Sequence, residues 1–157
     1  FYTKGYFLES NNIIVLEQKG YRKGLREVEN LNEEIDKLIA TSTEFLKSQI
    51  QDSGQYIYGY FPHFDKQIGF YNNLRHSSST YALIEGLSYI GEDMKITKKA
   101  IDYLINNYLY EVNGVAYIFD DTKDINEIKL GQNAALIFAI CEYLKNAPEE
   151  KEYLNVA

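Results

Sequence analysis

Within Tyr71-Asn72-Asn73-Leu74-Arg75-His76 the chain gathers a phenol, two carboxamides, a guanidinium and an imidazole. His76, with an ordinary pKa near 6.5, is the candidate acid/base, and Tyr71 and Tyr81 stand close enough in sequence to assist it. Arg75 offers a planar fork that suits a carboxylate. Asn72 and Asn73 add neutral donors and acceptors. The cluster opens a helical stretch reaching Ile90 that carries one charge, Glu85. A helix start favours anions through its free N–H groups and dipole, so a uronate or another acidic sugar is a coherent ligand. The structural alternative is that Arg75 and His76 cap carbonyls and hold loop backbone.

Carboxylates matter if the chemistry is glycosidic, because hydrolysis needs a general acid and a base or nucleophile. Asp65 and the Asp120-Asp121 pair fall in two loops that the elements below make equivalent, with Asp65 and Asp121 the candidate catalytic pair. Such loop residues also serve simply as solvated charges. His63, between Phe61 and Phe64, reads as packing. Two histidines without a third ligand nearby give no metal site, and no GxSxG, phosphate-cradling Gly loop or CxxC is present. No cofactor is implied.

The elements that must position these groups follow from period and punctuation. Residues 1–24 are a short β-rich segment, two runs around Asn11-Asn12 that read as a hairpin or edge strands and as the tail of a preceding domain. From Leu31 the period becomes helical: Leu31, Ile35, Leu38, Ile39, Phe45, Leu46 and Ile50 form one stripe, capped by Asn30 or Asn32 and ended near Gly54. Tyr56 to Pro62 is extended, with Tyr58 a candidate ligand contact. A second helix spans about Leu74–Ile90 before Gly91, and a third about Met94–Tyr108. After an Asn113-Gly114 turn, Val115–Phe119 is extended. A fourth helix spans about Gly131–Leu144.

These elements repeat. Tyr81–Leu87 aligns with Phe138–Leu144, placing Glu85 and Glu142, 57 residues apart, at equal positions. Tyr56-Ile57-Tyr58 aligns with Tyr117-Ile118-Phe119. Equal placement suggests a structural task for the two glutamates, such as bonding the next hairpin's backbone. Each unit is thus a hairpin of an amphipathic outer helix and an apolar inner helix, about residues 30–90 and 94–147. The fold class expected is mainly α: two helical hairpins of an (α/α) toroid over 25–157, with the short N-terminal β segment. An α-solenoid is the competing layout. The alignment sets Arg75-His76 against Gln132-Asn133, and both pairs are expected to face one cavity.

YNNLRH followed by a Tyr-Ala-Leu helix, and KLGQNAAL later, resemble repeats of the α/α-toroid superfamily, which includes six-hairpin glycosidases, polysaccharide lyases, the helical domain of D-glucuronyl C5-epimerases and the squalene cyclase and prenyltransferase group. The resemblance spans about residues 30–147. It implies a ring of helical hairpins with a ligand funnel at the inner-helix starts. The chain departs from those families in having two hairpins rather than five to seven. It also lacks their Asp-rich cyclase motifs and zinc ligands. The remaining hairpins are therefore expected from further sequence or from homo-oligomerisation.

Hydrophobic residues make up 45% of the 157, enough for one domain with a core. Tyr is over-used at 15 residues, against 8 Phe and no Trp. It suits sugar-binding clefts, although an AT-rich coding sequence also favours Tyr, Asn, Ile and Lys. The net charge of −7 argues against nucleic acid, and no apolar run is long enough to span a membrane. Cys141 is expected to be a buried thiol. The chain begins at Phe1 without Met, so it is read as a processed product or an excised fragment, which leaves the compartment open. Two functions compete. One is a carbohydrate-active protein, hydrolase, lyase or epimerase in type, that acts on or binds an acidic glycan. The other is a non-catalytic helical-repeat interaction module.

Overall fold

The computed structural model describes residues 5–16, 18–19, 22–23, 28–120 and 126–156. The chain divides into two compact units, Phe1–Leu38 and Ile39–Ala157.

In the first unit, β1 (Gly5–Glu9) and β2 (Asn12–Leu16) form an antiparallel hairpin with Glu9 opposite Asn12. This is the hairpin expected around Asn11-Asn12. Two short strands, β3 (Gln18–Lys19) and β4 (Arg22–Lys23), pair next. Helix α1 (Leu31–Ser48) begins at Asn30, whose side chain accepts from the Glu33 N–H at 3.3 Å. The division between units falls inside α1. Its apolar stripe explains this, because Leu31, Ile35 and Leu38 stay exposed and burial within α1 is reached at Thr43.

The second unit is mainly helical. After α1, β5 (Tyr60–Phe61) and β6 (Lys66–Gln67) make a small hairpin. Helix α2 (Asn73–Ile90) is capped by Asn72, whose Oδ1 accepts from the Arg75 N–H at 3.1 Å, and it stops at Gly91 in the left-handed conformation. Helix α3 (Lys95–Tyr108) leads into β7 (Leu109–Val112) and β8 (Val115–Ile118), an antiparallel pair closed by Asn113-Gly114. Both turn residues have positive φ, 54° and 77°, as a two-residue hairpin loop demands. Helix α4 (Leu130–Asn146) follows, then a 3-10 turn over Lys151–Asn155.

Helices α2 and α4 run side by side in the same direction. Contacts between them recur at the repeat spacing: Leu74 beside Gly131, Tyr81 against Phe138 with ring centres 6.3 Å apart, and Ser88 bonded to Asn146 at 3.1 Å. Equivalent positions of the two hairpins therefore touch. The core fills the space between α2, α3, β8 and α4 with Ile84, Ile101, Leu104, Ile118, Leu136 and Ile140. Gly86 allows α1 to approach α2, since a Cβ there would lie 2.2 Å from Thr43 Oγ1.

Enclosure of α2 and α4 is partial. Leu130, Ile137 and Phe138 on α4 are exposed, and so is Cys141 beside them. The thiol expected in the core lies off the buried stripe of Leu136, Ala139, Ile140 and Tyr143. Glu85 and Glu142 are also placed differently from expectation. Glu85 accepts from Tyr81 Oη on its own helix at 2.8 Å, and Glu142 pairs with Lys145 one turn on. No helix among the described residues is long and apolar enough to cross a membrane.

Candidate functional site

A cleft in the second unit holds about 320 Å³ between the end of α1, the extended segment before β5 and the first turns of α2. Tyr56, Ile57, Tyr58 and Gly59 of that segment line it in succession, with Tyr60 of β5 next. Phe45 comes from α1, Gln49 from the turn just after it, and Tyr71, Arg75, His76 and Ser79 from around the start of α2.

His76 is 2% exposed and bonded at both ring nitrogens. Nε2 lies 2.8 Å from the Ala100 carbonyl of α3, which can only accept, so Nε2 carries the proton. Nδ1 is then an acceptor, and Tyr71 donates its hydroxyl proton to it at 2.7 Å. The Tyr71 oxygen in turn accepts from the Tyr56 N–H at 3.0 Å. One connected path thus ties the extended segment to α2 and α3. The imidazole also stacks on Tyr103, with ring centres 5.4 Å apart, and meets Tyr56 edge-on. Burial pushes the His76 pKa down to about 4, against a smaller upward pull from the Ala100 carbonyl. Burial likewise pushes the Tyr71 phenol up, and Tyr56 rises to about 12 for the same reason. All three are neutral at pH 7.

Arg75 is exposed and lies over the Tyr58 ring, 5.4 Å from its centre. Tyr58 is itself braced edge-on by Phe70 at 5.2 Å and tilted against Tyr71. Among the described residues no carboxylate pairs with Arg75, and no Asp or Glu lines the cleft. Asp65 sits at the β5–β6 turn, exposed, and bonds the hydroxyl of cleft residue Tyr60. That bond raises the Tyr60 pKa.

Of the residues singled out from sequence, Tyr58, Tyr71, Arg75 and His76 meet in the cleft. Asn72 is the α2 cap. Asn73 and Gln132 are each 2% exposed, and their amide nitrogens have no partner among the described residues. Tyr81 lies away on the Phe138 side, bonded to Glu85. Asn133 accepts from the Ile118 N–H at 2.7 Å and donates to the Lys129 carbonyl. Arg75-His76 and Gln132-Asn133 therefore do not share this cleft. Asp121 lies outside the described residues. His63 packs edge-on against Phe64. Sequence reasoning passed over Phe45, Gln49, Tyr56, Tyr60 and Ser79 as cleft residues. The closely spaced Tyr56, Tyr58 and Tyr60 carried the signal for the tyrosines.

Among the described residues no group of three His, Cys, Asp or Glu is placed to hold a metal ion. The chain matches no family model, no curated protein and no solved structure.

Proposed function

We propose that the cleft binds an acidic, uronate-like glycan and that the two hairpins belong to an α/α toroid. The observation that carries the ligand is the Arg75 guanidinium held over Tyr58 in a cleft walled by tyrosines, with no carboxylate among the described lining residues. Tyrosine faces suit the C–H faces of a sugar ring while their hydroxyls serve its edges. The Arg fork suits its carboxylate. The toroid layout is supported by the parallel inner helices, which touch at equivalent positions as neighbours in a ring of hairpins would.

Recognition fits the site better than hydrolysis. The described residues bring one carboxylate, Asp65, to the cleft's edge, whereas glycosidic cleavage uses two. His76 has its single proton committed to Ala100. Titration calorimetry with glucuronate-containing oligosaccharides tests the reading. Binding that weakens with salt and disappears in Arg75→Gln supports it. Equal binding of neutral and acidic oligosaccharides, or none of either, overturns it.

A further inference from the structure

A second recess, of about 210 Å³, adjoins the first along the extended segment and shares Tyr56, Ile57, Tyr58, Gly59 and Tyr71 with it. Its lining differs in kind. Gln51, Gln55 and Gln67 contribute three carboxamides, and among the described residues no charged one lines it. Each carboxamide presents donors and an acceptor, a match for vicinal hydroxyls or an acetamido group, with no preference for an acid. The recess is smaller than drug-sized pockets of about 300–1,000 Å³, which suits one sugar ring.

We propose that the ligand is a heteroglycan bound across both recesses, with an acidic unit at Arg75 and a neutral, hydroxyl-rich neighbour among the three glutamines. This rests on the acidic-glycan reading of the first cleft. Tyr58 is the shared wall: Arg75 covers its ring from the first recess, and Phe70, which lines the second, braces it edge-on. A continuous chain would pass over that wall.

Calorimetry on the full chain with three probes tests the proposal: glucuronate, the disaccharide of glucuronate and glucose, and cellobiose. The acidic disaccharide is expected to bind about tenfold or more tighter than glucuronate. Gln51→Ala/Gln67→Ala, both at exposed positions, should remove that gain and leave glucuronate affinity unchanged. Gln67→Glu, which keeps the side-chain length, should lower the gain as well. Equal affinity for glucuronate and the disaccharide overturns the two-recess proposal while the Arg75 reading stands. Retention of the full gain in the folded double variant overturns it too. Absence of binding by both acidic probes removes the acidic-glycan reading and this proposal with it.

Discussion

The Tyr71 hydroxyl donates a hydrogen bond to His76 Nδ1 at 2.7 Å while accepting from the Tyr56 N–H, so one side chain joins the backbone of the extended segment to the imidazole. Tyr71→Phe keeps the ring and deletes the junction. It strands a backbone donor and an imidazole acceptor in a half-buried place, and should cost about 2–3 kcal/mol in urea unfolding. A cost near zero would mean that the path holds nothing.

The lowered His76 pKa has a definite pH signature. The unfolded chain binds the imidazole proton near pH 6.5, whereas the folded chain resists until about 4. The stabilisation is complete above pH 6.5 and is lost as pH falls through that window toward 4. The loss is about 3 kcal/mol by linkage. Unfolding free energies measured across pH 4–7 should show this slope, and His76→Gln should flatten it.

Arg75 is exposed and makes no ion pair among the described residues, so Arg75→Gln should leave Tm within about 2 °C. Its loss should weaken glucuronate-oligosaccharide binding by about tenfold or more, as removal of a charged, bidentate contact does. Arg75→Lys should fail to restore affinity, because an ammonium lacks the fork. Full rescue by Lys would reduce the role of Arg75 to a point charge.

Gly86→Ala would push a methyl to 2.2 Å from Thr43 Oγ1. The expected cost is about 2–3 kcal/mol from overpacking between α1 and α2. Pairing it with Thr43→Gly should recover part of that loss, and a double-mutant cycle measures the coupling. Additive losses would show that the two residues do not meet.

Gln132 offers the reverse case. Its buried amide nitrogen has no partner among the described residues, so Gln132→Met should leave stability unchanged or raise it by about 1 kcal/mol. A loss above that size, read from Tm, would reveal a partner for the amide.

The helices were legible in the sequence because apolar period, Asn caps and glycine stops agree locally. Asn30, Gly91 and Asn113-Gly114 do what their types predict. The repeat was legible as well, and its spacing reappears in the contacts of Tyr81 with Phe138. Exposure was harder to read. Cys141 and Phe138 lie on an apolar stretch of α4, and nothing in that stretch says which side meets the core. The site was half legible. Arg75 and Tyr58 are near in space because α2 starts beside the extended segment, a tertiary fact. The partners of His76 could not be foreseen, since Ala100 contributes only a backbone carbonyl 24 residues away.

The two hairpins fasten their extended segments by different lengths of tether. In the second, Asn133 grips the Ile118 N–H directly. In the first, the equivalent His76 reaches the Tyr56 N–H only through a phenol ring. Tyr71 is thus a spacer, and Ile128, its counterpart in the second hairpin, has no hydroxyl to play that part. The tether of the first hairpin is itself part of the cleft, since Tyr71 and His76 are both in its wall.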